Sequence, residues 1–425
     1  MKKTILLLAM ILFLACGDGG KTVHLKFWAF GGANVLNEWI RMRAKQFEAQ
    51  HPDVKVTVSL KSWNMIRELL YTNFSAGTGP DLMRVHANYA AEFGENGFFY
   101  PLDQFEDFKE VREWYVPHLF ESVEYNDHCY GLPHSAIAFV LVCNKDMFDA
   151  DNIEPPKTWS EFRRVAKHFT RDLDGDGSFD QYGLTLLGGD RGGFAYRLAP
   201  FFFKAGGDIL SEDLTQVEFN SPECIDALQL FADMYQIDRS ITPGFLAYTL
   251  SECSDMFVND KVAMAIEGPW YNNVVRDKNP EKRFYTVPVP VPDHRIDQFN
   301  SAPTLQDMVM NAINANTKHL DAAWAFLKFI RNEEADMAWV EQDMGAVAVT
   351  HKALNSDLAQ AIADLPVYRQ ELQHARPWPS HPQMIYIVRN VIAPFGQQAI
   401  IGDLTPEQAL NKAAKEAQLI LEGKK

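Results

Sequence analysis

The chain has 425 residues, 47% of them apolar or aromatic, and 56 acidic against 40 basic side chains leave a formal net charge of −16. With no basic run anywhere, nucleic acid is excluded as an expected partner. The length calls for two or more domain-sized units.

At the N-terminus Lys2 and Lys3 precede the apolar stretch Ile5 to Leu14, followed by Ala15, Cys16 and the polar Gly17 to Lys21. Charge, apolar core and small-residue site in that order predict a secretion signal over 1–15. The apolar stretch is shorter than the ~20 residues that span a bilayer as a helix. Cys16 at the junction predicts a lipobox, with an acylated thiol and a tether over 16–22. Phe13 stands where Leu is commonest, so an ordinary signal cleaved near Ala15 is the other reading. Removing residues 1–15 takes away two lysines and deepens the charge from −16 to −18. One acyl chain binds membranes weakly, so anchoring calls for several. No later segment is long and apolar enough to cross a membrane.

Val23 to Phe27 alternates at strand period and leads into Trp28-Ala29-Phe30-Gly31-Gly32, read as an aromatic, glycine-rich loop. Leu36, Ile40, Ala44 and Phe47 then share one helical stripe. Pro52-Asp53 ends it, and Val54, Val56, Val58 and Leu60 alternate as a second strand. This is a β-α-β unit, the building block of a parallel sheet. Trp63 follows as another candidate aromatic. Asp81-Leu82-Met83 reads as a strand with Arg84, His86 and Asn88 at its carboxyl end, where open α/β sheets line their ligand crevice. A solvated strand end is the alternative. Thr158 and Glu161 form a capping box before Phe162, Val165 and Phe169. Ser221-Pro222-Glu223 starts a further helix, Ala323 to Ile330 marks another, and Thr405 to Gln408 caps the last, which runs towards Leu421. There is no internal repeat, and the class is α/β.

Asp172-Leu173-Asp174-Gly175-Asp176-Gly177-Ser178-Phe179-Asp180 places oxygen donors at alternate positions with glycine at the sixth, as a calcium loop does. Asp172, Asp174, Asp176, Ser178 and Asp180 are the candidate ligands of a structural calcium ion. Gly183 at the twelfth position replaces the usual bidentate Glu, and an acidic surface turn is the other reading. Cys129, Cys143, Cys224 and Cys253 lack metal-type spacing, and no His-x-x-x-His pair exists, so a zinc site is unsupported. The four thiols are open to pairing or to burial as free thiols.

Trp28, Trp270 and Trp378 lie beside glycine or proline. Sugars offer an apolar C–H face and a polar rim, which aromatic plates and hydrogen-bonding side chains match. Loops on a rigid scaffold carry such groups better than helix stripes. Core packing is the competing reading, and the expected one for Trp159, Trp324 and Trp339. No Gly-x-Ser-x-Gly elbow and no phosphate-binding glycine loop occur. A glycosidase carboxylate pair is visible only in three dimensions.

An ordered set of segments resembles the extracellular solute-binding proteins of ABC importers, the family that includes maltose-binding protein. It comprises Phe47 to Val56, Ser75 to Leu82, Tyr130-Gly131-Leu132-Pro133 leading to Cys143 to Phe148, Pro155 to Trp159, Lys261 to Trp270, and Gly345 to Val349. Cys143 stands where the family usually has Tyr. Ser135-Ala136-Ile137 stands where some members carry an acid, which loosens any link to maltose.

The resemblance implies a periplasmic-binding-protein type II fold, two α/β lobes joined by crossover hinge strands around a ligand cleft. Residues 23–143 plus 287–345 would form lobe 1, and 144–286 plus 346–425 lobe 2. Trp270 would stack on the ligand, with the segment holding Tyr196 and Arg197 offering further contacts and His86 and Asn88 as polar anchors; Phe30 and Tyr271, beside Trp28 and Trp270, are candidate contacts by position. The implied role is a monomeric, non-enzymatic binder, exported and facing the periplasm or cell exterior. It would capture a sugar, an oligosaccharide by preference, by hinge closure and pass it to ABC permease subunits, with no required cofactor. The alternatives are a secreted carbohydrate-cleaving enzyme and a surface sensor or adhesin on the same fold.

Overall fold

The computed structural model describes residues 22–31, 34–341, 347–362 and 365–424. The expected signal segment, Cys16, and the Gly345-Ala346 part of the last family-like segment lie outside the described residues. Among the described residues no helix is long and apolar enough to cross a membrane.

The strands, in chain order, are β1 (Val23–Phe30), β2 (Val54–Lys61), β3 (Leu82–His86), the short β4 (Glu124–Tyr125) and β5 (His128–Cys129), β6 (Leu132–Ala138), β7 (Val140–Asn144), β8 (Tyr182–Leu184), β9 (Val262–Glu267), β10 (Phe284–Val287), β11 (Leu305–Ile313) and β12 (Arg376–Pro377). They build two principal sheets. The first runs β12-β11-β3-β1-β2, with β6 also on β11; the second runs β10-β7-β9-β8. β1 pairs in parallel with β2 and β3, whereas β11 is antiparallel to β3 and β6. Helix Asn34–Gln50 makes the β1-to-β2 crossover that a parallel pair requires. The fold is therefore two-lobed α/β, each lobe with its own sheet.

β1 runs on through Phe30, beyond the predicted start of the loop. Ala29 and Phe30 are buried and keep register with Leu60 and Lys61 of β2. β7, β9 and β11 are buried along their whole length, as expected of strands covered on both faces. The capping boxes at Thr158 and Thr405 are formed, and the Ser221 hydroxyl accepts from the Cys224 amide.

The chain passes between the lobes at Phe139, between β6 and β7; over 288–304, between β10 and β11; and after β12. The described residues 347–362 and 365–368, which the sequence places in the second lobe, pack in the first. Val347, Val349, Ala353 and Tyr368 belong to the first hydrophobic cluster, while Trp378, Met384 and Ile400 belong to the second. The last passage thus follows Pro377, because Val347 bridges to Ala136 and β12 still pairs with β11. All four described cysteines are free and buried. Burial pushes the thiols of Cys129 and Cys224 up to about 12 and that of Cys253 to about 11.

Candidate functional site

The carboxyl ends of β1 and β3 and the turn Trp63–Met65 form one wall of the site. His86 ends β3, and its Nδ1 lies 2.7 Å from Oδ2 of Asp307 on β11. The Trp63 ring sits 4.2 Å from the His86 ring and 5.8 Å from that of Phe30. Arg84 donates to the Phe30 carbonyl at 2.6 Å, and its guanidinium lies 5.5 Å from the Trp63 ring. Burial, reinforced by Arg331 and opposed by Asp307, pulls the Arg84 pKa down to about 9.

Helix Arg191–Ala205 supplies the facing wall. The Asn88 amide donates to the Tyr196 hydroxyl, joining the two lobes directly. The Tyr196 ring lies 5.8 Å from His86, 5.3 Å from Trp378 and 6.0 Å from Phe139. Phe139, at the first passage between lobes, also meets Trp270 edge-on at 5.5 Å. The Trp270 ring folds back over Gly268, where a Cβ would fall 2.1 Å from a ring carbon. The glycine in Gly268-Pro269-Trp270 is thus what lets the indole lie there.

Other candidates are placed elsewhere. Arg197 is 5% exposed and makes a two-pronged ion pair with Glu267, Nε to Oε1 at 3.1 Å and Nη2 to Oε2 at 2.5 Å. It is a counter-ion inside the lobe. Tyr271 is fully buried with its ring 5.5 Å from Phe257. Trp28 packs under Lys61, whose Nζ is 4.9 Å from its ring. No described ring contact links Trp28 to the others.

The structure adds groups that the sequence reading missed. Asp307 is a buried acid inside the otherwise mostly apolar β11, and a buried charge in such a run signals a partner. Arg389 lies 3.4 Å from Asp190 and within electrostatic reach of Tyr89 and Tyr196. Arg67 pairs with Glu92 at 2.5 Å within the first lobe and reaches across to lie 5.8 Å from the Tyr386 ring. Phe139, Tyr386 and Arg389 carry no local sequence signal.

The cleft therefore presents aromatic faces with hydrogen-bonding groups between them, and the acids Asp307, Asp190 and Glu92 are held by His86, Arg389 and Arg67 respectively. Such a surface suits stacking and paired hydrogen bonds. Surface hollows of about 350 and 200 Å³ are lined by Asn152–Lys157 and by Ser122, Gln306 and Pro377 among others.

In the acidic loop, Asp172, Asp174 and Asp176 bring carboxylate oxygens within 4.8 Å of one another. Asp172 also accepts from the amides of Gly175 and Gly177, and Asp180 accepts from that of Leu173. Asp180 is not part of the converging group. Gly183 packs against Ala166, where a Cβ would fall 2.1 Å from the Ala166 carbonyl oxygen, so the twelfth position offers no side-chain ligand.

A family profile described as bacterial extracellular solute-binding protein matches residues 33–337. A putative binding protein of Brucella abortus (strain 2308) is 26% identical over 380 residues, 89% of this chain and 88% of that one. The maltotriose-binding protein of Pyrococcus abyssi is 24% identical over 374 residues, 87% of this chain and 75% of that one. The crystal structure of an ABC transporter solute-binding protein from Thermotoga lettingae, bound with α-D-tagatose, superposes with a TM-score of 0.83 at 25% identity. It covers 94% of this chain and 100% of that one.

Proposed function

The chain belongs to the bacterial extracellular solute-binding proteins, and on that premise we propose that it captures a sugar between its lobes and delivers it to an ABC importer. The observation that carries this reading is the aromatic convergence across the lobes: Trp63 and His86 on one side, Tyr196, Trp270 and Trp378 on the other, with Phe139 at the passage between them. A ligand touching both walls favours the conformer in which the walls approach, and the importer reads that conformer. The relatives named for maltotriose and tagatose support a saccharide, and an oligosaccharide fits the breadth of the aromatic surface. Among the described residues, Asp307, Asp190 and Glu92 at the cleft are each engaged by a cation, which favours binding over the free carboxylate pair of glycoside cleavage. Acylated Cys16 would hold the binder near its permease and raise its effective concentration there. The Asp172-Asp174-Asp176 group would hold a structural calcium ion, with backbone carbonyls or water completing the shell.

The test is titration of the domain from residue 22 onward with mono- and oligosaccharides, followed by tryptophan fluorescence and melting temperature. A ligand at 100 times its Kd adds about 2.7 kcal/mol. A sugar panel without response sinks the reading. Trp270→Ala is expected to weaken the sugar by about tenfold or more with the fold intact; unchanged affinity removes Trp270 from the site. Mass spectrometry of the mature N-terminus decides the anchor, since an unacylated start after Ala15 would make the binder freely diffusing.

A further inference from the structure

Behind the Trp63 wall lies a group of buried polar side chains whose hydrogen bonding is incomplete. Trp39, Arg84, His134, Asn311, Arg331 and Trp339 are each 7% exposed or less. The rings of His134 and Trp339 are 4.6 Å apart and those of Trp39 and Trp339 5.3 Å. The Arg331 guanidinium lies 5.2 Å from Trp39 and 5.9 Å from Trp339. His134 Nδ1 meets Asn311 Oδ1 at 2.9 Å, and Arg331 donates to the His134 carbonyl at 3.3 Å.

Among the described residues, five N–H donors of this group have no acceptor: Trp39 Nε1, Arg84 Nε, Asn311 Nδ2, Arg331 Nη2 and Trp339 Nε1. Buried donors are ordinarily satisfied, so five together signal a missing acceptor. Among the described residues, the acceptors here without a partner are His134 Nε2 and Oδ1 of the neighbouring Asp336. Asp307 and Asp336 lie within electrostatic reach of Arg84 and Arg331 respectively, but among the described residues neither acid bonds its arginine directly. Asp307 is taken by His86, and the other Asp336 oxygen accepts from Val349, Thr350 and the Thr350 hydroxyl. Arg84 connects this group to the cleft, because its guanidinium faces the Trp63 ring.

We propose that this group is an oxyanion subsite at the back of the cleft, so that the ligand is a sugar carrying a carboxylate or phosphate, held by Arg84 and Arg331 and by the indole N–H groups of Trp39 and Trp339. The sugar as carrier rests on the proposed function; the anion preference rests on the donors alone.

The test compares glucose, glucuronate, glucose 6-phosphate, and free phosphate and sulfate on the same domain, by calorimetry and melting temperature at low and high salt. The expected result is that the anionic sugars bind about tenfold or more tighter than glucose, with the margin shrinking in salt. The double variant Trp39→Phe/Trp339→Phe keeps both rings and removes two donors. It is expected to cut the anion preference and leave neutral-sugar affinity in place; Arg331→Gln is expected to cut the anion preference more strongly. Free phosphate or sulfate raising the midpoint, with the same sensitivity to the variants, upholds the subsite even if no sugar binds, and in that case sinks the sugar reading. Glucose binding as tightly as its anionic derivatives overturns the subsite and leaves the sugar reading standing. No response to any probe overturns both.

Discussion

His134 is 1% exposed, and burial, with Arg331 and Arg84 beside it, holds its pKa well below 6.5. Below that pH the unfolded chain binds a proton that the folded chain refuses. The stability contributed by the neutral ring is present above pH 6.5 and is lost as pH falls, at about 1.4 kcal/mol per pH unit until the folded pKa is reached. Urea unfolding of wild type and His134→Asn between about pH 7 and 5 checks this, with a flatter acid limb expected for the variant. An identical slope in both would assign the acid sensitivity to another group. The residue scale also shows why neighbours part company. Tyr196 and Arg197 are adjacent on one helix, and successive helical side chains point about 100° apart. Tyr196 therefore reaches Asn88 across the cleft, while Arg197 turns inward to Glu267.

At the scale of the element, the acidic loop has two sources of order. Asp172 and Asp176 accept backbone amides within the loop, so its turn is held by its own side chains. The convergence of three carboxylates leaves like charges close together, which an ion would relieve. Millimolar calcium is therefore expected to raise the melting temperature, and EDTA to reverse it, with the effect abolished in Asp174→Asn/Asp176→Asn. Terbium luminescence read through the same variants gives a direct measure. A melting temperature indifferent to calcium, with no terbium signal, would leave the loop as an acidic turn.

Across the whole molecule, helix Arg191–Ala205 links the cleft to the far side of the lobe junction. Tyr196 and Lys204 are eight residues apart on it, about 12 Å. Lys204 is fully buried and pairs with Glu371 at 2.8 Å, and its Nζ donates to the Ala302 carbonyl at 2.9 Å. Glu371 lies in helix Leu365–Leu372, which packs on β6 of the first lobe, so the pair crosses the junction. Burial lowers the Lys204 pKa and raises that of Glu371, each opposed by its partner. Removing one partner leaves an uncompensated buried charge, at a cost of about 3–5 kcal/mol. Lys204→Met is expected to show that loss in urea unfolding, and Lys204→Met/Glu371→Leu to recover most of it. A single variant that loses less than about 1 kcal/mol would mean the junction accommodates the lone acid.

Much of this was legible in the chain because it is encoded locally. Period-two alternation in β1 and β2, the Thr158 and Thr405 caps and the ordered family-like segments are properties of neighbouring residues, and they led to the two-lobed α/β class. Strand ends and glycine-flanked aromatics likewise singled out His86, Asn88 and Trp270. What remained hidden depends on distance along the chain. Asp307 reaches His86 across 221 residues, and Lys204 reaches Glu371 across 167. The last passage between lobes falls after Pro377 because β12 pairs with β11, a register no local pattern reports. The amino-acid sequence by itself determined the elements and the family, since propensity, capping and periodicity act over a few residues. Only the tertiary structure decided which charges are paired, which aromatics face the cleft and which buried donors lack an acceptor, because those are set by the packing of segments brought together by the fold.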